Sequence, residues 1–271
     1  EVVIPGRTDR ELLLSAHACH PALANDNAAS LAVATALAEC LLDGPTPEHT
    51  IRFLFAPGTI GAITWLAQNR QRVGQIAGGL VLANLGDPGG LVYKRSRRGT
   101  LASPLAMDTA VEVACRDLDV PVEIRPFAPT GYDERQFGSP GFDLPMGRLT
   151  RTPHGEYPEY HTSGDDLSLV TPAALEASLL ALEAIVRTFD ADAVYQNVKP
   201  YGEPQLGRRG LYSALGGTPT APEDQEAMLW VLNLSDGQHS LLDAATRSGL
   251  SFAAVRRAAD ALLDADLLTY A

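Results

Sequence analysis

Short apolar, β-prone runs alternate with longer helical patterns through the first 190 residues, and this alternation restricts the fold more than any other feature. The strand candidates are residues 12–16, 51–56, 80–85, 122–127 and 144–149. The helix candidates are residues 27–42, 61–73, 105–118 and 172–189. Such alternation predicts a three-layer α/β fold, in which a mainly parallel sheet has helices on both faces.

Histidine and carboxylate side chains concentrate in two segments far apart in the sequence. They are residues 16–27 (AHACHPALANDN) and 154–166 (HGEYPEYHTSGDD), and they contain four of the six histidines. The first segment directly follows a strand candidate, and active sites of parallel α/β sheets form in the loops after the strands' carboxyl ends. Zn²⁺ binds imidazole nitrogen and carboxylate oxygen. The two segments therefore indicate a zinc hydrolase.

Composition limits the partners and the location of the protein. The 271 residues carry a net charge of -12, which disfavours a nucleic-acid or anionic-membrane partner. No apolar run approaches the roughly 20 residues of a membrane span. Cys19, Cys40 and Cys115 form no pairing pattern, so a soluble protein in the reducing cytoplasm is predicted. Because the sequence starts at Glu1 inside a strand-like stretch, we expect that an upstream portion has been removed.

The chain is predicted to hold two domains, residues 1–194 and 195–271. Proline and glycine are frequent over residues 197–220, as in a linker, and helical patterns follow at 226–234, 241–247 and 252–268. Ser240 and Ser251 are placed to start the last two helices, with Gly249 between them. This layout predicts a winged-helix or helix-turn-helix module. Its nine acidic and six basic residues favour a structural module or homo-oligomer contact over DNA binding.

Four motifs carry a resemblance to a known family. They are residues 17–27 (HACHPALANDN), 52–57 (RFLFAP), 132–135 (YDER) and 151–163 (RTPHGEYPEYHTS). With them the chain resembles, over nearly its whole length, the aminopeptidase-like, domain-of-unknown-function (DUF4910-type) branch of the M28 zinc peptidase clan. The resemblance implies a phosphorylase/hydrolase-like fold with a C-terminal winged helix. It also implies cleavage of an amide bond next to a free amino group.

The same resemblance implies a metal site. Asp26, which precedes an asparagine at a helix start, matches a metal ligand of the clan. His161, in a Tyr-His-Thr context, matches the late histidine ligand. His17 matches the early histidine ligand, and His20 is close enough in sequence to take that place. Asp87 follows a strand candidate and could match the clan's remaining aspartate ligand, although its glycine neighbours suit a simple turn equally well.

Three positions depart from the clan's pattern. Gly58 and Thr59 stand where its peptidases have two adjacent glutamates, the first a general base and the second a zinc ligand. Cys19 stands where the clan places an aspartate beside the first histidine, so it is either an additional ligand or a supporting residue. Loss of the second glutamate predicts one zinc ion per chain. Loss of the first requires another base, because general-base catalysis contributes about 10²–10⁴-fold in rate.

Acidic residues near the second segment are the candidates for the replacement base. Glu156 and Glu159 are preferred because they flank His161 in sequence, and Glu134 is a third candidate. Free acids near the site would also attract a cationic amino group. On that basis we expect Asp133 and Glu134 to contact substrate, although an ion-pair network that shapes their loop is the simpler interpretation.

Further substrate contacts are predicted for Arg97 and Tyr160. Arg97 belongs to a basic group with Lys94, Arg95 and Arg98, which could hold a carboxylate or phosphate or could simply be solvated. The predicted substrate is a small peptide or a modified amino acid. Two other functions stay open: a catalytically degenerate zinc- or ligand-binding protein, because Gly58 replaces the base, and an interaction protein that recruits a partner through its C-terminal helices.

Overall fold

The structure, a computed structural model, describes residues 1–211 and 222–271 and divides into two units, Glu1–Asp190 and Ala191–Ala271. The first unit alternates strands and helices. In chain order they are β1 (Val2–Ile4), β2 (Thr8–His17), α1 (Ser30–Leu42), β3 (His49–Ala56), α2 (Ile60–Gln68), β4 (Ile76–Leu82), β5 (Leu91–Lys94), α3 (Ala106–Asp117), β6 (Val122–Arg125), α4 (Glu134–Phe137), β7 (Met146–Thr150) and α5 (Pro172–Asp190). A short helical turn, Ala24–Ala29, leads into α1.

The seven strands form one mixed sheet in the order β1-β3-β2-β4-β7-β5-β6. Strands β3, β2, β4 and β7 are parallel, which confirms the predicted parallel-rich sheet. At one edge β1 is antiparallel to β3, and at the other the parallel pair β5 and β6 is antiparallel to β7. The sequence indicated only a strand-like stretch at the position of β1 and did not predict β5; these strands are three and four residues long.

Helices cover both faces of this sheet. A Cβ on Gly78 of β4 would meet Phe189 of α5 and Met107 of α3, so this residue faces those helices. Val81, on the opposite face of the same strand, lies in a buried cluster with Trp65 of α2 and Phe137 of α4. Because successive strand residues point to opposite faces, the two helical layers enclose the sheet. The predicted three-layer architecture is confirmed.

The second unit combines a small antiparallel sheet with three helices. Its elements are β8 (Val194–Asn197), α6 (Pro222–Leu234), β9 (Asp236–Ser240), α7 (Leu241–Ser248), α8 (Phe252–Asp264) and β10 (Leu268–Tyr270). The strand order is β10-β8-β9. The side chains of Ser240 and Ser251 cap α7 and α8 as predicted, by accepting hydrogen bonds from backbone N–H groups.

One helix prediction in this unit was wrong at its end. The pattern over residues 252–268 predicted a single helix, but α8 ends at Asp264 and β10 follows it. Strand β10 pairs with β8, about 70 positions earlier in the chain. Local periodicity in the sequence does not detect such long-range pairing. Residues 212–220 of the predicted linker lie outside the described residues. Within the described ranges, each helix is too short or too polar to cross a membrane.

A buried ion pair joins the neighbouring parallel strands β2 and β3. Arg52 of β3 donates from Nε and Nη2 to the two carboxylate oxygens of Glu11 on β2, at 2.7 and 2.8 Å. Arg72 adds a third hydrogen bond at 2.8 Å. Burial raises the pKa of Glu11, but the hydrogen bonds and charges of Arg52 and Arg72 outweigh this effect and hold the pKa below its ordinary value.

We expect Glu11→Gln to lower the free energy of unfolding at pH 7 by about 3 kcal/mol, the lower end of the cost of breaking a buried ion pair, because the buried Arg52 then keeps only the more exposed Glu1, at 3.3 Å, as a counter-charge. The folded-state pKa of Glu11 is lower than the unfolded one. Its ionised form therefore stabilises the fold above the unfolded pKa of about 4.3, and this contribution is lost as pH falls toward the folded pKa. Denaturant unfolding of wild type, Glu11→Gln and the exposed control Glu39→Gln measures it. A difference that stays constant down to pH 3 would contradict the assignment.

Candidate metal centre

The loops after the central strands meet at one edge of the sheet. His17 is the last residue of β2, Gly58 follows β3 by two positions, and Asn84 follows β4 by two positions. Because β2, β3 and β4 are parallel neighbours, their carboxyl ends lie side by side. This is the edge at which the sequence predicts the site.

The buried carboxylate of Asp26 lies at the centre of this edge. Its Oδ1 is 2.7 Å from His17 Nε2, and its Oδ2 is 3.1 Å from His161 Nε2 and 3.5 Å from His20 Nδ1. Burial raises the pKa of Asp26, but the hydrogen bond to His17 and the electrostatic interactions with His17, His20 and His161 outweigh it, so the pKa lies below the ordinary value. Two distant segments thus place three imidazoles around one ionised carboxylate.

Asp165 ties the two segments together. Its carboxylate accepts hydrogen bonds from the backbone N–H groups of Asn25 at 2.6 Å and Asp26 at 3.0 Å, and its carbonyl oxygen accepts one from Ala24 at 3.0 Å. Asp165 is itself buried. Sequence analysis assigned it no role, and the available signal was its position four residues after His161. It fixes the backbone that carries Asp26 relative to the loop that carries His161.

Asp133 approaches the same centre from another loop. Its side chain is buried, and Oδ1 accepts no hydrogen bond from the described residues. Burial raises the pKa of Asp133 to about 6, an effect that the nearby His17 reduces and Glu134 increases. A Cβ on Gly58 would lie 3.6 Å from this oxygen and 3.1 Å from the Cβ of His17. The absence of a side chain at position 58 therefore leaves the Asp133 carboxylate facing the centre.

A cleft of about 220 Å³ opens above these groups. It is lined by His17, Cys19, His20, Asp26, Gly58, Thr59, Gly131, Tyr132, Asp133, Tyr160 and His161. Aromatic rings form its walls: Tyr132 stacks on His17 with centroids 5.4 Å apart, and Tyr160 stacks on His161 at 4.0 Å. Tyr160, a predicted substrate contact, is thus at the cleft. Its ring is held against one of the central imidazoles.

The structure does not bring Glu156 to the cleft. Its carboxylate accepts two hydrogen bonds from Arg125 of β6, which lower the pKa of Glu156 below its usual value. A low pKa and an arginine partner are opposite to what a general base requires. Glu159 is also not among the residues that line the cleft. Proximity to His161 in sequence therefore does not place either glutamate in the lining of the cleft.

Glu134 points away from its neighbour Asp133 and forms a buried ion pair. It pairs with Lys94 of β5 and lies 3.7 Å from Arg148 of β7. Lys94 Nζ also donates to the carbonyl oxygens of Ala128 at 3.1 Å and Thr130 at 2.6 Å. Glu134 and Lys94 thus anchor the loop that carries Asp133, which agrees with the ion-pair interpretation and leaves neither side chain free for substrate.

Two more predicted residues lie away from the centre. Asp87 accepts hydrogen bonds from Asn25 Nδ2, the Gly89 backbone N–H, and both the backbone N–H and the hydroxyl of Thr152, at 2.5 to 3.2 Å. These four bonds make it a loop-stabilising residue, because they occupy both oxygens. Arg97 donates to Asp143 at 2.6 Å on the surface and does not line the cleft.

Two overlapping donor groups could hold a cation. His20, Asp26 and His161 each offer one ligand atom, all within 4.8 Å of one another, and so do His17, Cys19 and His20. Asp26 Oδ2 is a buried acceptor without a hydrogen bond from the described residues, and two imidazoles face it. Imidazole and carboxylate donors of this kind fit a divalent transition metal.

Comparison with known proteins places the chain in a family. The family described as "Domain of unknown function (DUF4910)" matches residues 1–192, and a winged helix-turn-helix family matches residues 193–270. A curated relative from Clostridium acetobutylicum is named "Putative polysaccharide biosynthesis protein with aminopeptidase-like domain". It is 41% identical over 268 residues, which are 99% of this chain and 60% of the relative.

Solved structures resemble the fold. The crystal structure of a "putative peptidase" from Clostridium acetobutylicum has a TM-score of 0.88 at 38% identity and covers 100% of this chain. Bacillus subtilis BSAP, a zinc aminopeptidase, has a TM-score of 0.56 at 18% identity over 68% of this chain and 48% of its own. The latter likeness shows a shared fold alone.

The chain spans about 60% of the length of both Clostridium proteins. The family match covers more than half of the chain, and it agrees with the motifs around Asp26 and His161 and with the observed sheet. The chain therefore belongs to the DUF4910 family, has an aminopeptidase-like α/β fold, and ends in a winged helix-turn-helix domain.

Proposed function

We propose that this chain is a metal-dependent hydrolase that cleaves an amide bond next to a free amino group. One observation carries the proposal: the buried Asp26 carboxylate, with one oxygen unbonded, faces two imidazoles in a cleft that also holds the unpaired Asp133. The activity belongs to residues 1–194. The three unpaired cysteines support a reducing, cytoplasmic setting.

The metal is proposed to be one Zn²⁺ per chain. Asp26 and His161 would hold it, with a third donor, His17 or His20, from the turn after β2. Carboxylate and imidazole are zinc donors, and three protein ligands leave a position open, as in catalytic zinc sites. When bound, the ion supplies Lewis-acid polarisation of the scissile carbonyl and makes water more acidic. The zinc aminopeptidase of the same fold is consistent with this choice.

Asp133 is the proton acceptor in this proposal and takes the place predicted for Glu156 or Glu159. Asp133 lines the cleft, and its buried Oδ1 accepts no hydrogen bond from the described residues. A pKa raised to about 6 makes it a stronger base than an ordinary aspartate, while it stays mostly ionised at pH 7. Asp133 would take a proton from the attacking water and return it to the leaving amine.

The cleft also indicates the kind of substrate. A volume of about 220 Å³ is below the roughly 300–1,000 Å³ of pockets that enclose a drug-sized ligand, so only one end of a peptide or one modified amino acid would enter. Asp26 and Asp133 favour a cationic amino group in the cleft, and Tyr132 and Tyr160 offer flat apolar surfaces. The name of the Clostridium relative makes a biosynthetic amide substrate a reasonable choice.

The second candidate function is a zinc- or ligand-binding protein without turnover. Gly58 favours it, because the lining residues described for the cleft include no glutamate that could act as the base of the clan's peptidases. The two candidates share the metal site and differ at Asp133. Under this alternative Asp133 contributes only negative charge to ligand binding.

We expect the purified protein to contain about one zinc per chain, and Asp26→Asn and His161→Ala to lose it, because each removes a donor from the centre. Elemental analysis after dialysis measures the metal content. His239→Ala, an exposed histidine in the second unit, is the matched control and should keep the metal. Metal that persists in both Asp26→Asn and His161→Ala would contradict the proposed site.

We expect Asp133→Asn to reduce kcat for metal-dependent cleavage of aminoacyl anilides or short peptides by about 10²–10⁴-fold with metal content unchanged. Glu156→Gln and Glu159→Gln should stay within a factor of about three of wild type, because neither side chain lines the cleft. Full activity in Asp133→Asn would refute the proton-acceptor role. A wild-type protein that binds zinc and substrate analogues but cleaves no member of such a panel would support the second candidate.

A further inference from the structure

The three histidines around Asp26 differ in the hydrogen bonds they make. We infer that His20 and His161, together with Asp26, are the metal ligands, and that His17 is a positioning residue that holds Asp26 through a hydrogen bond. The inference rests on the proposed metal-dependent function. It departs from the ligand role for His17 that the family resemblance implies.

Two backbone groups fix the orientation of the Asn27 side chain. The backbone N–H of Asn84 donates to Asn27 Oδ1 at 3.1 Å, and Asn27 Nδ2 donates to the carbonyl oxygen of Leu82 at 3.0 Å. A backbone N–H can only donate and a carbonyl oxygen can only accept, so exchanging the amide oxygen and nitrogen would break both bonds. The amino group of Asn27, not its oxygen, therefore faces the ring of His17.

This orientation determines which nitrogen of His17 carries the proton. One N–H of Asn27 Nδ2 is used by Leu82, and the other is shared between His17 Nδ1 at 3.3 Å and the His17 carbonyl oxygen at 3.4 Å, so Nδ1 is placed to accept and not to donate. In a neutral imidazole the other nitrogen then carries the hydrogen, and His17 Nε2 donates it to Asp26 Oδ1 at 2.7 Å. A protonated nitrogen has no lone pair for a metal. To ligate through Nε2, the proton would have to move to Nδ1, where it would oppose the amino group of Asn27.

The distances around Asp26 also indicate different roles for its two carboxylate oxygens. Zinc bonds of about 2.0–2.2 Å in a tetrahedral shell put neighbouring donor atoms roughly 3.3–3.6 Å apart. Asp26 Oδ2 lies 3.5 Å from His20 Nδ1 and 3.1 Å from His161 Nε2, and it accepts no hydrogen bond from the described residues. Oδ1 lies 2.7 Å from His17 Nε2, a hydrogen-bond distance well below the spacing of two zinc donors. Oδ1 thus belongs to His17, and Oδ2 remains for the cation.

The exposure of the three histidine side chains also distinguishes His17 from His20 and His161. The side chain of His17 is only 5% exposed and stacks on Tyr132, so its ring is held in place beside Asp26. The side chains of His20 and His161 are 32% and 50% exposed, so a cation from solvent can reach them. A buried imidazole that orients a ligating carboxylate is a common supporting element of metal sites, and its loss typically costs 10–100-fold in metal affinity.

The test compares His17→Gln with the matched variant His20→Gln. Glutamine at 17 can still donate an N–H to Asp26, so we expect about one zinc per chain with affinity reduced by no more than about 100-fold. His20→Gln should lose stoichiometric zinc. X-ray absorption at the zinc edge should count two imidazole ligands in wild type and in His17→Gln. Stoichiometric zinc in His20→Gln together with its loss in His17→Gln would overturn the inference.

A measurement on the unaltered protein covers the case in which a variant fails to fold. Long-range ¹H–¹⁵N spectra report which ring nitrogen of each histidine carries a proton. We expect His17 Nε2 to be protonated before and after zinc addition, while resonances of His20 Nδ1 and His161 Nε2 shift. Loss of the His17 Nε2 proton on zinc binding would refute the inference but leave the proposed function intact. A wild-type protein that binds no zinc would overturn both.

Discussion

The ionised carboxylate of Asp26 is the constraint on which the rest of this site depends. A buried charge is tolerated only when charges and hydrogen bonds compensate it, and here the compensation comes from both ends of the first unit. Asp165 accepts hydrogen bonds from the backbone N–H groups of Asn25 and Asp26, and His17 donates to Oδ1. The sheet positions these groups, because the parallel strands β2 and β3 end side by side and bring His17 and the loop of Gly58 to the same edge. Removal of any of these contacts would leave a buried negative charge with too few partners.

The sequence predicted most of the first unit because its central strands and long helices have strong local patterns. Strands β2 and β3 contain mainly apolar segments, LLLSA at 12–16 and IRFLFA at 51–56, and α1 and α5 have clear boundaries. The exceptions depend on distant partners. Residues 91–94 form β5 because β6 and β7 flank them, although the segment itself is short and ends in lysine. The strands of the second unit were likewise missed, since β8, β9 and β10 pair across long stretches of chain.

The candidate site was predictable in its location and in its donor types, but the roles of the acids were not. Asp26 and His161 belong to motifs, so local sequence identifies them. The role of Asp133 depends on burial and on what the opposite loop leaves open, and those are properties of the folded chain. Glu134, next to it in sequence, differs completely because a turn of the chain directs it to Lys94. Arg125 captures Glu156 in the same non-local way.

Two buried carboxylate oxygens at the cleft, Asp26 Oδ2 and Asp133 Oδ1, accept no hydrogen bond from the described residues. An unsatisfied buried acceptor costs about 1–3 kcal/mol, and a charged one costs more. A protein that retained this fold for stability alone would gain from replacing either side chain by an apolar one of similar volume. The proposed function gives each oxygen a partner from outside the chain: Asp26 Oδ2 would bind a cation, and Asp133 Oδ1 would accept a proton. Gly58 fits the same reasoning, because a side chain there would enter the space between His17 and Asp133. In the proposed function, glycine at 58 and an unpaired aspartate at 133 are therefore parts of one arrangement, in which the proton acceptor comes from the opposite loop.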